Sequence, residues 1–364
     1  MTGAAGKVVV AMSGGVDSST AAALLKEQGL DVAGVTLRLP SYEPGNGAAD
    51  SRCCGVKGIE DARRVAGRLD IPFYVLDFRE EFEQSVIQDF CRAYAEGRTP
   101  NPCVRCNEKV KFGELLRRAK AFGAGFVATG HYVRKEADGR TGRMALRVGK
   151  GGEDQSYFLY CLSQEQLRHA LFPLGDYTKD QVRRLARERG LPVHDKPGSQ
   201  DLCFLPQGKY RQFLKSRCPE AFRPGPLLHV SGEILGEHEG IASYTVGQRR
   251  GLGIAGREPL YVVGVRLAEN AIVVGEKRHV LRKAVVVGEV NWVSISPPSD
   301  PLSAEVKIRY NHPRAAAEVT PLGNGKVGVT FAIAQEAPCP GQAAVFYSGD
   351  ALLGGGTIES SLYD

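Results

Sequence analysis

The sequence of 364 residues predicts an α/β protein with a doubly wound parallel sheet, followed by a small mixed central domain and a C-terminal antiparallel β-barrel. Three observations support this fold class. The chain is too long for a single ordinary core. Its first part alternates short apolar runs with helical patterns, and its last part consists of short strands between Gly- and Pro-containing turns. We therefore expect domains at residues 1–208, 209–278 and 279–364.

The first domain is predicted from four apolar runs, KVVVAM, DVAGVTLRL, IPFYVLDF and GFVATGHYV, with helical patterns between them. The first helix should end at Gly29. Thr178 and Gln181 have the spacing of a capping box and should open a helix that ends at Gly190. This alternation is typical of βαβ units around a parallel sheet.

The C-terminal domain is predicted from five strand-like runs, KAVVVGEVNWV, LSAEVKIRY, KVGVTFA, QAAVFYSG and ALLGGGTIES. Short strands at this spacing are typical of a small antiparallel barrel or sandwich. The stretch from 209 to 278 is mixed in pattern and rich in Gly and Arg.

Composition limits the function classes. Hydrophobic residues at 43% and charged residues at 24% fit a soluble globular protein. No apolar run approaches the roughly 20 residues that span a bilayer, and the N-terminus lacks a signal-peptide layout. The nine cysteines form no regular framework. We therefore expect a cytoplasmic protein, without a membrane partner, in which most cysteines are plain thiols and a few have a catalytic or metal role.

The net charge of +6 is unevenly distributed. Between residues 98 and 120, seven basic residues face only Glu108 and Glu114, whereas the last domain has six basic and eight acidic residues. A polyanionic partner or a simple solvated helix face would each explain the basic stretch.

The segment AMSGGVDSS, residues 11–19, follows the first strand and opens the first helix. Glycines and unpaired N–H groups at this position favour anion binding. The loop lacks the Lys of a P-loop, so it suits a pyrophosphate leaving group better than γ-phosphoryl transfer. Asp17 could position Mg²⁺ or the loop itself. The alternative is a strand-to-helix turn without a ligand.

Cys103 and Cys106 have the spacing of half a zinc site, but no second CxxC exists. Structural zinc needs four ligands and would have to recruit Cys203 and either His131 or Cys161. A dithiol redox pair lacks a thioredoxin-like setting. We predict instead that the pair is reactive, because nearby cations favour a thiolate; these cations are Arg105, Lys109 and Lys111.

Cys203 lies in a Pro- and Gly-bearing loop and could equally be a small buried hydrophobe. The remaining cysteines look structural, with Cys53 and Cys54 the least certain.

Eight motifs in order along the chain carry a resemblance to a known family: SGGVDSS, GRTPNPCVRCN, ATGHYVR, EDQSYFL, SQDLCF, YTVGQRRGLGI, RYNH and PGQAAVFY. Together they closely resemble the tRNA-specific 2-thiouridylases, within the N-type ATP pyrophosphatase superfamily. This resemblance implies an enzyme that uses ATP and Mg²⁺ to place sulfur on C2 of wobble uridine 34 in the tRNAs for lysine, glutamate and glutamine.

The resemblance also implies site residues. Cys106 would be the catalytic nucleophile and Cys203 the persulfide carrier, with a transient disulfide between them. A sulfur-relay protein fed by a cysteine desulfurase would load Cys203. The nucleotide site would comprise Ala11, Met12, Ser13, Gly14, Gly15, Val16, Asp17, Ser18, Leu37 and Gly130.

Positions that match the tRNA contacts of the family are Asn101, Pro102, Cys103, His131, Glu153, Asp154, Gln155, Arg309, Tyr310 and Gln342. Some members have Asp at the position of Cys103, which implies that this thiol is not obligatory. Glu153 stands where other members have Lys.

The resemblance agrees with the chemistry, because the C2 oxygen of uracil leaves poorly until adenylation makes it part of AMP. Three alternatives remain open from the sequence. Cys103, Cys106 and Cys203 could hold an iron–sulfur cluster that binds sulfide. The chain could be an amide-forming ATP pyrophosphatase, or a non-catalytic RNA-binding protein with structural zinc.

Overall fold

The structure is a computed structural model, and it describes residues 6–40, 55–198, 202–205, 208–254 and 258–362. Cys53 and Cys54 lie outside these residues. None of the helices in these ranges is long and apolar enough to cross a membrane.

The strands of the described ranges form three sheets. In chain order they are β1 (Lys7–Ala11), β2 (Asp31–Arg38), β3 (Phe73–Asp77), β4 (Phe126–Ala128), β5 (Val133–Ala137), β6 (Met144–Val148), β7 (Ala170–Leu171), β8 (Gly225–His229), β9 (Ile234–His238), β10 (Tyr261–Arg266), β11 (Ala271–Gly275), β12 (Leu281–Trp292), β13 (Leu302–Lys307), β14 (Ala315–Gly323), β15 (Lys326–Glu336), β16 (Ala343–Ser348) and β17 (Ala351–Leu362).

The α-helices are α1 (Val16–Glu27), α2 (Val56–Leu69), α3 (Arg79–Phe82), α4 (Gln88–Ala95), α5 (Pro102–Arg105), α6 (Leu115–Ala121), α7 (Gln164–Arg168), α8 (Lys179–Glu188) and α9 (Tyr210–Arg217). In the part of the chain that the structure describes, two π-helical stretches connect α-helices, at Glu83–Ile87 and Cys106–Glu114. Short 3₁₀ turns occur at Ser156–Phe158, Pro219–Phe222, Ile241–Ser243, Leu267–Glu269 and Lys277–Val280.

The first sheet has the strand order β3-β2-β1-β4-β7, and all its pairs are parallel. The prediction of a parallel α/β sheet is therefore confirmed. Strand order reverses beside β1, which pairs with β2 on one side and β4 on the other. Ligands of open α/β sheets bind at such a switch point, outside the carboxyl ends of the strands.

Helix α8 begins and ends as its sequence predicts. The Thr178 side chain accepts from the Gln181 N–H, and the Gln181 side chain accepts from the Thr178 N–H. Gly190 follows the helix with a φ of 61°. This left-handed conformation favours glycine and ends the helix.

The central domain has a four-stranded sheet in the order β10-β11-β8-β9. Its strands close around a small separate core that includes Leu227, Ile272 and Val274.

The last six strands form a closed barrel, in the order β12-β15-β14-β13-β16-β17, and the pairing of β12 with β17 closes it. The predicted antiparallel barrel is therefore confirmed. Strand β14 was not predicted from the sequence, because its run AAAEVTPLG is only weakly apolar. The sequence also missed the hairpin β5–β6, which extends the barrel sheet through the pairing of β6 with β17.

The barrel also contacts the loop that precedes α5. Thr99 N–H donates to the Pro340 carbonyl at 2.8 Å, and Gln342 Nε2 donates to the Thr99 carbonyl at 2.9 Å. The loop of the NPCVRC motif is thus held from the C-terminal domain.

Candidate active site

A cavity of about 300 Å³ opens at the carboxyl ends of β1, β2 and β4. It lies at the switch point of the first sheet, where the topology predicts a ligand site. The lining residues are Ala11, Met12, Ser13, Gly15, Val16, Asp17, Ser18, Val35, Leu37, Leu39, Phe82, Pro102, Cys103, Cys106, Lys111, Thr129, Gly130, His131, Gln155, Pro197, Gly198, Leu202, Cys203 and Phe204. We call this cavity the switch-point pocket.

The Gly-rich loop forms one wall of the pocket. Gly15 is the N-cap residue of α1 and has no side-chain cap hydrogen bond, so the first helical N–H groups face the loop without a side-chain acceptor. Gly14 has a φ of 72°, and a Cβ there would lie 2.2 Å from the Gly58 carbonyl oxygen. The loop therefore requires glycine at this position and presents backbone donors suited to phosphate oxygens.

Asp17 is held by two neighbours. Lys179 Nζ contacts both carboxylate oxygens at 2.6 Å, and Tyr132 OH donates to one of them at 2.6 Å. Of the two roles predicted for Asp17, these contacts favour positioning of the loop.

Gly130 and Leu37 complete the nucleotide side of the pocket. Gly130 packs on the start of α1, because a Cβ there would lie 2.7 Å from the Ser18 nitrogen. Leu37 is 7% exposed and lies within β2, next to its last residue.

The pocket also brings together the three predicted cysteines. Cys106 is 8% exposed and begins the π-helical stretch, Cys103 is exposed on α5, and the half-buried Cys203 comes from a loop about a hundred residues later. None of the three forms a disulfide in this structure. Phe204, next to Cys203, packs edge-on against Phe82 at 5.6 Å.

The expectation that cations lower the pKa of these thiols needs correction. Burial raises the pKa of Cys106 above its ordinary value, and Lys111 opposes this rise only in part. Arg105 instead binds Glu289 at 2.8 Å, and Lys109 binds Glu108 at 2.7 Å. Acidic partners engage both cations, so neither acts on the thiol as predicted.

His131 lies in the pocket as a neutral imidazole. Burial, with a contribution from Lys111, holds its pKa well below the ordinary value. Its Nδ1 lies 2.8 Å from Thr129 Oγ1. A neutral ring can donate one hydrogen bond and accept another without adding charge to the site.

Of the other predicted RNA contacts near the pocket, some line it and some lie beside it. Pro102 and Gln155 line it. Asn101 caps α5 by accepting from the Val104 N–H. Asp154 accepts from Ser156 N–H and Oγ, at 2.9 Å each. Glu153 is exposed.

Three proposed RNA contacts belong to the barrel and lie outside the pocket lining. Arg309 donates to the Glu336 carbonyl at 2.7 Å. Tyr310 packs against Phe158 with ring centroids 4.5 Å apart and ring planes tilted by 40°. Gln342 holds the Thr99 carbonyl, as described above.

Most of the basic stretch from 98 to 120 is paired with acidic residues. In addition to Arg105 and Lys109, the structure pairs Arg98 with Glu96, Arg117 and Arg118 with Glu114, and Lys120 with Glu165. The local positive charge is thus smaller than the sequence predicts, and Lys111 is the basic residue of this stretch that lines the pocket.

The described residues contain no group of three or more His, Cys, Asp or Glu side chains placed to hold a metal ion. Cys103, Cys106 and Cys203 share a pocket without forming such a set. Sequence reasoning also missed Lys179 and Lys196, which contact Asp17 and the Gly14 carbonyl. No local motif marks either lysine, because each meets the loop from more than 160 residues away.

Comparison with known proteins adds the family. Three family models match consecutive parts of the chain: a tRNA methyl transferase HUP domain at 6–207, a tRNA methyl transferase PRC-barrel domain at 211–276, and an aminomethyltransferase β-barrel domain at 282–358. A tRNA-specific 2-thiouridylase MnmA from Moorella thermoacetica is 48% identical over 97% of this chain and 99% of its own length. The chain belongs to the tRNA-specific 2-thiouridylase family. A Clostridium perfringens relative of the same name is 46% identical over 98% of this chain and 99% of its own length.

The names of these tRNA-specific 2-thiouridylase relatives state the reaction, 2-thiolation of uridine. The domain models carry the name of a methyl transferase instead. Among solved structures, a 4-thiouridine synthetase in complex with RNA and ATP aligns with 59% of this chain and 51% of its own, at 17% identity and a TM-score of 0.37. That similarity is too low to compare the sites.

Proposed function

We propose that this protein replaces the C2 oxygen of a tRNA uridine by sulfur, with ATP as the activating co-substrate. The observation that carries the proposal is the switch-point pocket, which places the Gly-rich loop, Cys106 and Cys203 around one cavity. Family membership supports the same reaction and gives no support to an amide-forming alternative.

Activation would take place at the Gly-rich loop. The C2 oxygen attacks the α-phosphorus of ATP, pyrophosphate leaves, and the loop N–H groups at the start of α1 stabilise the anionic leaving group. The base must leave its stack to reach the pocket, at a cost of a few kcal/mol at most in an anticodon loop. Cys106 is buried, so its sulfur atom is largely shielded from bulk water.

Sulfur transfer would use both cysteines. A persulfide on Cys203 holds the outer sulfur, and the Cys106 thiolate attacks the inner sulfur, so that hydrosulfide leaves and a Cys106–Cys203 disulfide forms. The hydrosulfide attacks C2, and AMP departs with the former C2 oxygen. In the alternative order, the persulfide attacks C2 first and Cys106 then resolves the adduct. In both cases a cellular dithiol must reduce the disulfide before the next cycle.

Mg²⁺ would neutralise charge on the triphosphate when bound with ATP. Asp17 is the carboxylate among the described residues that line the pocket, and Lys179 already contacts both its oxygens. No step above depends on a protein ligand to the ion.

The family resemblance also implies the substrate and the sulfur source. The substrate would be uridine 34 of the tRNAs for lysine, glutamate and glutamine. The sulfur would come from a relay protein that is fed by a cysteine desulfurase in the cytoplasm.

The test is incubation with ATP, Mg²⁺, a persulfide donor and anticodon-bearing tRNA, followed by mass analysis of the nucleosides. Wild type should yield 2-thiouridine, AMP and pyrophosphate, and Cys106→Ser should reduce the 2-thiouridine by at least about a hundredfold because it removes the nucleophile. Cys103→Asp is the matched control, since this thiol lines the same pocket and the family resemblance implies that Asp is tolerated at its position, so it should keep most activity.

Two outcomes would contradict the proposal. Undiminished 2-thiouridine in Cys106→Ser would remove the nucleophile from the mechanism. Loss of activity in Cys103→Asp, together with iron and sulfide in anaerobically purified wild-type protein, would instead support the iron–sulfur alternative.

A further inference from the structure

Lys111 shares the pocket wall with Cys106, and both lie on the π-helical stretch Cys106–Glu114. A π-helix forms its hydrogen bonds between residues five apart, as Leu115 N–H does here with the Val110 carbonyl. Residues 106 and 111 are therefore separated by one such step and lie on the same side. In an α-helix this spacing would point the two side chains in different directions. The π-helix thus explains why both side chains reach the pocket.

Among the described residues that line the pocket, the other charged and titratable groups do not bring a positive charge to Cys106. Lys179 and Tyr132 hold Asp17 on α1, and His131 after β4 is neutral. The two other facing groups are thiols, Cys103 on α5 and Cys203 on its loop.

We propose that Lys111 is a positioning residue that stabilises the Cys106 sulfur as a thiolate, ready for its attack on the sulfur carrier. This inference rests on the proposed function for the identity of the target. It requires no redox step, because the thiol proton passes to solvent base and the ammonium group of Lys111 stays protonated. Burial raises the pKa of Cys106 and Lys111 lowers it, which agrees with this role.

The experiment measures the rate at which iodoacetamide alkylates Cys106 between pH 6 and pH 10, in the full-length protein without ATP or tRNA. Peptide mass analysis separates Cys106 from the other cysteines. Lys111→Met should raise the apparent pKa of the Cys106 thiol by about one unit, which means about tenfold less thiolate at neutral pH. Lys111→Arg keeps the positive charge and should restore most of the wild-type profile.

Lys109→Met is the matched control, because Lys109 is on the same π-helical stretch but is half-exposed and paired with Glu108. Its profile should match that of wild type. An unchanged profile in folded Lys111→Met would overturn the inference. If that variant also loses pyrophosphate release, Lys111 instead contacts the nucleotide. The alkylation readout needs no turnover, so it separates this inference from the proposed function.

Discussion

At the scale of single residues, Asp17 shows how the nucleotide loop is held. It lies at the start of α1, where a carboxylate is favoured by the helix dipole, and Lys179 and Tyr132 fix its side chain from two later segments. Lys196 holds the same loop by donating to the Gly14 carbonyl at 3.0 Å. Two lysines from the later part of the domain therefore replace the local Lys of a P-loop as neighbours of this loop.

Lys179→Met should destabilise the first domain, because it leaves Asp17 without its cation in a partly buried pair. We expect a loss of about 1 kcal/mol, which lowers the apparent Tm by about 2–4 °C in a domain of this size. Lys150→Met is the control. Lys150 pairs with Asp176, both side chains are 62% exposed, and such a surface ion pair should contribute little to stability. Equal shifts in the two variants, measured by thermal scanning, would contradict this account.

At the scale of elements, the sequence predicts the helices and strands better than it predicts contacts between residues that are distant along the chain. Strands β1 to β4 and the capping box of α8 follow from local apolar patterns and local hydrogen bonds. The π-helical stretch at Cys106 was not predicted, because its apolar spacing is compatible with an ordinary helix. The partner of Arg105 was not predictable either, since Glu289 lies 184 residues away in the barrel.

Gly130→Ala should weaken ATP binding, because the new Cβ would lie 2.7 Å from the Ser18 nitrogen and would push the turn after β4 away from α1. We expect the Kd for ATP, measured by equilibrium dialysis, to rise at least about tenfold, equivalent to about 1.4 kcal/mol. Gly125→Ala is the matched control before the same strand, where a Cβ would meet nothing within 4 Å. An unaltered Kd in Gly130→Ala would show that the turn is not part of the nucleotide site.

At the scale of the whole molecule, the barrel is joined to the first domain and to the loop beside the switch-point pocket. It is extended by the hairpin β5–β6 of the first domain. One face of β16, including Tyr347, packs with Tyr157 in the core of that domain, whereas the barrel interior is a separate cluster. Its 339–342 turn also holds the loop before Cys106. A barrel that only contacted RNA would not need these connections, so we infer that it also keeps the loop before Cys106 in place.

Gln342 distinguishes these two roles of the barrel. The family resemblance makes it an RNA contact, whereas here its side chain donates to the Thr99 carbonyl. Gln342→Ala should therefore speed amide hydrogen exchange about tenfold or more at Thr99 and Val104 in the RNA-free protein, because the loop opens more often. Gln335→Ala, which removes a contact to Ile333 within its own strand, is the control and should leave these amides unchanged. If exchange in Gln342→Ala matches wild type while tRNA affinity falls, Gln342 acts only at the RNA interface and the barrel does not brace the loop through this residue.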